Sequence, residues 1–150
     1  MPRIMALDVG EKTIGVAFTD ETETYVFPGM TILRQQGKKR DMAALRQLIQ
    51  EQDVKEIVVG MPLMRDGTRG IQAEKVEQFI ATLRNHVRIP IKTEDERLTT
   101  FEAEELLRAA GRRREEQKRT IDSVAAALIL QSYLSRRQRA APERTDDTEP

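Results

Sequence analysis

A chain of 150 residues is the size of one domain and is long enough to bury a hydrophobic core. The absence of cysteine excludes a disulfide framework and zinc sites built on thiolates, and a formal net charge of zero excludes a strong whole-molecule attraction for polyanions. The first apolar stretch meets Asp8 far short of the roughly 20 residues that a membrane span needs. We therefore expect a single cytoplasmic domain that is not bound to a membrane.

The first third of the sequence predicts a three-stranded antiparallel meander. Residues 3–9 are mostly apolar, and residues 14–20 form a second apolar stretch after a connection so short that it favours a hairpin. Residues 25–33 supply a third strand. Within it, the pair Pro28-Gly29 indicates an edge strand or a bulge.

Helical and strand patterns alternate in the middle of the chain. Apolar residues at helical spacing from Asp41 predict an amphipathic helix, and residues 55–60 predict a buried strand. A second helix is expected over residues 71–85 and a short strand over residues 91–94. Because strand, helix and strand follow one another, these strands should pair in parallel.

The C-terminal third predicts two more helices and a tail. Thr99 with Glu102 three residues later forms a capping-box pattern, so a helix should open there and end at Gly111. The last helix is expected to begin near Thr120. We expect the folded domain to cover residues 1–138 and residues 139–150 to form a disordered charged tail.

Three acidic residues stand at the ends of predicted elements. Asp8 ends the first strand, Glu96 follows the strand over residues 91–94, and Asp122 is expected in the first turn of the last helix. Carboxylates brought to one point repel each other unless a divalent cation absorbs their charge, and Mg²⁺ and Mn²⁺ prefer oxygen ligands. Asp95 is a rival to Glu96, because neighbouring residues of a strand face opposite ways. Each acid alone could instead be a turn former, a surface ion pair or a helix-end residue.

The sequence carries four motifs in a fixed order, and they lie between residues 3 and 135. They are Asp8-Val9-Gly10 with Lys12 and Gly15-Val16-Ala17, then Gly60-Met61-Pro62-Leu63 with Asp66-Gly67-Thr68, then Asp95-Glu96-Arg97-Leu98-Thr99-Thr100, then Asp122-Ser123. On these motifs the chain resembles the YqgF/RuvX family. The resemblance implies an α/β protein with an RNase H-like fold, whose five-stranded mixed sheet has three antiparallel strands and then two parallel ones, flanked by helices.

The same resemblance implies a hydrolase, a divalent-metal-dependent endonuclease that cuts phosphodiester bonds of structured nucleic acid. Members are described as nucleases that process the 5′ end of pre-16S ribosomal RNA in ribosome biogenesis, and as Holliday junction resolvases in DNA recombination. The partner would be pre-rRNA or branched DNA. Whether the substrate is RNA or DNA, and whether the chain is a monomer or a homodimer, stays open at this point.

The resemblance also implies the site residues. Asp8, Glu96 and Asp122 would be the catalytic set that binds Mg²⁺ or Mn²⁺, which favours Glu96 over Asp95. The expected substrate-binding residues are Lys12 and Arg97 on the phosphate, the loop residues Asp66, Gly67 and Thr68, and the basic segment Arg112-Arg113-Arg114, which the charge pattern adds.

Two other functions compete with the nuclease hypothesis. The chain could bind structured nucleic acid or assist ribosome assembly without cutting. A relationship to the ATP-binding, actin-like phosphotransferases is less favoured, because those enzymes clamp nucleotide between two such domains and 150 residues supply one. Few aromatic residues are available for base stacking, so recognition of backbone shape is expected.

Overall fold

The computed structural model describes residues 2–34, 37–64, 66, 68–95 and 114–147. Within these residues the chain forms five strands and three helices. They are β1 (Arg3–Val9), β2 (Thr13–Thr19), β3 (Val26–Leu33), α1 (Lys38–Glu51), β4 (Val54–Met61), α2 (Ile71–Arg84), β5 (Ile91–Asp95) and α3 (Arg114–Asp147). No helix in these ranges is both long enough and apolar enough to cross a membrane. The helix predicted between Thr99 and Gly111 lies outside the described residues.

The strands form one mixed sheet in the order β3-β2-β1-β4-β5. Strand β2 pairs antiparallel with both β1 and β3, whereas β4 pairs in parallel with both β1 and β5. The predicted meander and the predicted parallel pairs are both confirmed. Because β1 and β4 are parallel, the turn after β1 and the loop after β4 leave the sheet at the same edge.

Strand β3 is an edge strand with an irregular register. Gly15 of β2 pairs with Thr31, but the next paired residue of β2, Ala17, pairs with Pro28, so the register shifts between them. Proline has no N–H to give to a ladder and is tolerated at edges and bulges. The interpretation of Pro28-Gly29 is confirmed on both counts.

Each face of the sheet packs against helices. Helices α1 and α2 cover one face, where Met5, Leu7, Ile57 and Val59 of the central strands are fully buried. Helix α3 covers the other face and packs on Ile4, Ala6, Ala17 and Val58. This alternation along β1 assigns every residue of the strand to a face.

The face under α3 is lined by small residues, so the helix lies close to the sheet. Ala6 and Ala17 on the strands meet Ala126 and Ala127 on the helix, with Ile129, Leu130 and Tyr133 completing this second core. Val124 and Leu128 of the same helix are only half-buried.

Both ends of α3 differ from the prediction. The helix begins at Arg114 and not near Thr120, because residues 114–120 contain helix-forming Arg, Glu, Gln and Lys and no glycine or proline. Asp122 therefore lies in the third turn and not in the first, beyond the stabilising effect of the helix N-terminus, which fades within the first turn. The helix also continues to Asp147 where a disordered tail was expected. Residues 139–141, Arg-Ala-Ala, favour helix, whereas nothing in the local sequence explains its continuation past Pro142.

Candidate functional site

Asp8 and Asp122 both lie next to one glycine, Gly15. Asp8 lies directly opposite Gly15 in the antiparallel pair of β1 and β2, and both belong to the face that α3 covers. The backbone of Asp122 rests on Gly15, where an added Cβ would lie 1.9 Å from the Asp122 carbonyl oxygen. Only glycine permits this close approach of helix to strand.

The same contact bounds the separation of the two aspartates. A Cβ at Gly15 would lie 3.0 Å from the Asp122 Cβ, and opposite Cβ atoms of an antiparallel pair lie about 4.5–5.5 Å apart. The Cβ atoms of Asp8 and Asp122 are therefore at most about 8.5 Å apart. Two carboxylates at that separation can reach a shared cation.

Thr13 orients the Asp122 carboxylate. Its Oγ1 donates a hydrogen bond of 2.6 Å to Oδ2 of Asp122, across 109 residues of sequence. Thr13 lies two residues before Gly15 in β2, so its side chain is on the same face. Both Asp8 and Asp122 are half-buried. Sequence reasoning missed Thr13, although strand alternation from Gly15 would have pointed to it.

The strand register places Glu94 on the same face and at the same level as Asp8. Leu7 pairs with Val59 and Gly60 pairs with Glu94, so Asp8, Gly60 and Glu94 follow one another across the sheet. Glu94 is 6% exposed and contacts α3. The next residue, Asp95, therefore faces away from α3 and from Asp122.

Glu94 ties β5 to α3 through two side chains of the helix. It accepts a hydrogen bond of 2.8 Å from Ser132 Oγ and bonds of 3.0 and 2.6 Å from Nε and Nη2 of Arg136. The hydrogen bond with Glu94 raises the pKa of the Arg136 guanidinium. The role of Glu94 was not predicted from the sequence.

Arg34 holds the turn that follows Asp8. Its Nη1 donates a 2.6 Å hydrogen bond to the Gly10 carbonyl, and its backbone N–H donates a 2.8 Å bond to the Lys12 carbonyl. The Lys12 side chain is exposed in this turn, which begins two residues after Asp8. The position of Lys12 suits the phosphate contact expected of it.

The loop after β4 contains a closed turn. Asp66 Oδ1 accepts hydrogen bonds from the backbone N–H and the Oγ1 of Thr68, at 3.0 and 2.6 Å. Both residues are exposed at the sheet edge that also carries the turn after Asp8. Their contacts shape the loop, while Gly67 lies outside the described residues.

The remaining expected site residues fall mostly outside the described part of the chain. Glu96, Arg97, Arg112 and Arg113 lie there. Arg114 opens α3, eight residues or about 12 Å along the helix from Asp122. Among the described residues, no group of three His, Cys, Asp or Glu side chains could hold a metal ion. Of the three predicted ligands, the structure places Asp8 and Asp122 near each other, and Glu96 lies outside the described residues.

Comparison with solved structures identifies the fold. The T. thermophilus RuvC structure in complex with a Holliday junction substrate matches with a TM-score of 0.57 at 15% identity, covering 90% of this chain and 96% of that one. The yeast mitochondrial Holliday junction resolvase Ydc2 matches with a TM-score of 0.51 at 12% identity, covering 88% and 77%. At such identities the likeness concerns the fold alone, and the predicted RNase H-like fold is confirmed.

Curated relatives match over nearly their whole length. A protein of Desulforamulus reducens is 47% identical over 132 residues, covering 88% of this chain and 96% of the relative. A protein of Lachnospira eligens is 45% identical over 139 residues, covering 91% and 99%. Both carry the name "Putative pre-16S rRNA nuclease". The family model RuvX, described as Holliday junction resolvase, matches residues 2–136, and the chain therefore belongs to the RuvX family.

Proposed function

We propose that this protein is a divalent-metal-dependent endonuclease that hydrolyses phosphodiester bonds of structured nucleic acid. The observation that carries the proposal is the meeting of Asp8 and Asp122 over Gly15, with Thr13 fixing one carboxylate. Two half-buried carboxylates from distant parts of a chain repel each other unless a cation absorbs their charge. Their juxtaposition is explained by a cation site.

The donors fit a hard cation. Asp8 and Asp122 supply carboxylate oxygens, as Mg²⁺ and Mn²⁺ prefer, and the described part of the chain offers no histidine or thiolate near them. A bound ion would activate water and stabilise the charge that develops on the phosphate. In this proposal Asp8 and Asp122 hold the ion, and the Thr13 hydroxyl keeps the Asp122 carboxylate turned towards it.

Glu96 is proposed as the third ligand in preference to Asp95. Supporting this choice, Asp95 faces away from α3, because its neighbour Glu94 is bound by Ser132 and Arg136 of that helix. The Glu94–Arg136 pair also fixes the end of β5 relative to α3, immediately before Glu96. The final position of the strand is thereby tied to the helix that carries Asp122.

The proposed substrates are pre-rRNA and branched DNA, the molecules that the names of the relatives specify. Lys12 would contact a phosphate beside Asp8, and Arg97 with the segment Arg112-Arg113-Arg114 would contact others. The turn of Asp66, Gly67 and Thr68 would position the nucleic-acid strand from the same edge of the sheet. We place this activity in the cytoplasm.

Parallel cleavage assays test the proposal. A four-way DNA junction and a precursor fragment of 16S rRNA are incubated with wild-type protein and with Asp8→Asn, with and without Mn²⁺. We expect metal-dependent cutting of at least one substrate by the wild type and none by Asp8→Asn, with binding retained. Asp53→Asn is the matched control, since Asp53 lies in the turn before β4 and Asn tolerates its positive φ of 51°. Tight binding without cutting under any divalent ion would instead identify a non-catalytic binding factor.

A further inference from the structure

A small basic pocket lies beside the turn that carries Asp8. It has a volume of about 180 Å³ and is formed at the junction of α1, α2 and the end of β3. Its lining is cationic and polar around an apolar floor, and comprises Arg34, Lys38, Met42, Lys75, Gln78, Phe79 and Thr82. Helices α1 and α2 cover the face of the sheet opposite α3, so this pocket is separate from the Asp122 side of the site.

The arginine of this pocket is held in place before any ligand arrives. Arg34 Nε donates a 2.9 Å hydrogen bond to Oδ2 of Asp41, whose side chain is only 4% exposed. The guanidinium also stacks over Phe79, with its carbon 5.3 Å from the ring centroid. A guanidinium fixed on three sides loses little conformational entropy when it binds an anion.

Arg34 keeps donors for a ligand. A guanidinium has five N–H groups, and its contacts with Asp41 and the Gly10 carbonyl use two of them. The pocket therefore offers a fixed guanidinium with N–H groups still able to bind an oxygen anion, although Asp41 offsets part of its charge.

Two lysines stand at the rim. Lys75 is half-exposed and makes a 2.6 Å ion pair with Glu11, itself 60% exposed, in the turn after β1. Lys38 is exposed and has no ion pair within the described ranges. Exposed pairs such as Lys75–Glu11 contribute little and exchange easily, so both ammonium groups are available to an anion of higher charge density.

The geometry points to a phosphate pocket for the nucleic-acid backbone, and this inference rests on the proposed function. About 180 Å³ is below the roughly 300 Å³ at which pockets begin to enclose a whole small molecule, so a phosphate with part of its sugar fits and a nucleotide does not. The face of Phe79 is covered by Arg34, which leaves no aromatic surface for a base. The occupant is recognised by charge and shape, not by sequence.

The pocket also connects to the catalytic turn. Arg34 binds the Gly10 carbonyl and Lys75 binds Glu11. Two cations of the pocket therefore contact the two residues that follow Val9. A phosphate held there would fix the substrate strand on one side of the turn while Asp8 faces the cleaved bond on the other. The nucleic-acid strand would thus cross the edge of the sheet at the turn that follows Asp8.

The first test uses inorganic phosphate and does not depend on cleavage. In amide NMR spectra of the wild type, titrated phosphate should shift Met42, Gln78 and Phe79 saturably. The double variant Lys38→Glu/Lys75→Glu should abolish these shifts. The matched control is Lys39→Glu/Arg84→Glu, which makes the same change in net charge at exposed residues of α1 and α2 outside the pocket, and should keep them. Shifts spread evenly over the surface, or equal in both double variants, would overturn the pocket.

The second test measures binding of a four-way junction and of the rRNA fragment in Ca²⁺. We expect Lys38→Glu/Lys75→Glu to weaken at least one by about tenfold or more, and to lower the salt slope by about 1 for each phosphate that is no longer neutralised. The control pair should change neither. Equal weakening by both pairs would show a general charge effect and refute the inference. If the wild type binds through the pocket but cuts nothing, the pocket stands and the proposed cleavage fails.

Discussion

Thr13 and Asp122 are joined by a 2.6 Å hydrogen bond from Oγ1 to Oδ2, between the first residue of β2 and the third turn of α3. The bond decides how the Asp122 carboxylate is oriented above the sheet. A hydroxyl that donates to a carboxylate leaves the other oxygen of that carboxylate to a cation. Thr13 is thus a positioning residue in the proposed reaction.

Thr13→Val should lower kcat with little change in KM. Valine keeps the shape of threonine but cannot donate, and a hydrogen bond to a charged group is worth about 1.5–3 kcal/mol. If that energy is lost in the transition state, the rate falls by about tenfold to a hundredfold. Steady-state cleavage kinetics measure the effect.

Thr19→Val provides the matched control for that variant. Thr19 is fully buried in the same strand, and its Oγ1 accepts a 3.0 Å hydrogen bond from the Ile4 N–H, away from Asp8 and Asp122. Thr19→Val should be less stable than the wild type, but at temperatures below its melting range its kcat should be unchanged. Equal losses of kcat in the two variants would show that Thr13 acts only on stability.

Gly15→Ala should displace α3. The new Cβ would lie 1.9 Å from the carbonyl oxygen of Asp122, and a backbone atom cannot swing aside as a side chain can. Overpacking of this kind costs about 1–3 kcal/mol or more, and it separates Asp8 from Asp122. Urea unfolding and cleavage assays should both record a loss. Gly70→Ala is the control, because its Cβ would meet only the flexible Met64 side chain, at 3.1 Å; equal losses there would contradict the account.

Glu23 should make the fold sensitive to acid. Burial alone would raise its pKa, but hydrogen bonds from Lys55 and Arg137 outweigh this and hold the pKa below the ordinary value of 4.5. A lowered folded-state pKa means that the stabilisation is complete above about pH 4.5 and is lost as pH falls through the lowered value. The stability difference between wild type and Glu23→Gln should therefore be constant near neutral pH and shrink below pH 4.5.

Glu21→Gln is the control for the acid series. Glu21 is half-exposed and pairs with Arg3 at 3.9 Å, so its charge should contribute little at any pH. The two variants are compared by measuring their unfolding midpoints between pH 3 and 7. A difference for Glu23→Gln that grows on acidification would contradict the sign of its pKa shift.

Local patterns predicted most of the fold. Apolar stretches bounded by turns indicated β1, β2 and β4, and Pro28 marked the edge strand, because these features depend on neighbours in sequence. The start of α3 was missed since residues 114–120 have no apolar period, and periodicity becomes visible only from Ile121. Helix propensity without burial leaves no such pattern.

The acidic residues of the site were predictable from the sequence, but the residues that position them were not. Asp8 and Asp122 stood out as acids at element ends, whereas the face of Asp95 could be assigned only after Glu94 was found against α3. The contact of Gly15 with Asp122 depends on how a helix crosses the sheet, which no local pattern encodes. Arg34 and Asp41 likewise meet only through packing of α1 beside the β1–β2 turn.

Deletion of residues 139–150 should leave stability and cleavage unchanged. Arg136 and Arg137, which bind Glu94 and Glu23, are retained in a chain that ends at Gln138. We expect the free energy of unfolding to stay within about 0.5 kcal/mol of the full chain, as for surface changes away from buried features. A larger decrease would place the end of the domain beyond residue 138.

The most direct measurement is Mn²⁺ binding followed by paramagnetic broadening of amide NMR signals. The account predicts that small amounts of Mn²⁺ first broaden Val9, Gly15 and Ser123, the neighbours of the two aspartates in sequence and in space. The double variant Asp8→Asn/Asp122→Asn should abolish this broadening while Asp53→Asn keeps it. Broadening that persists in the double variant, or that appears first elsewhere in the chain, would contradict the metal site.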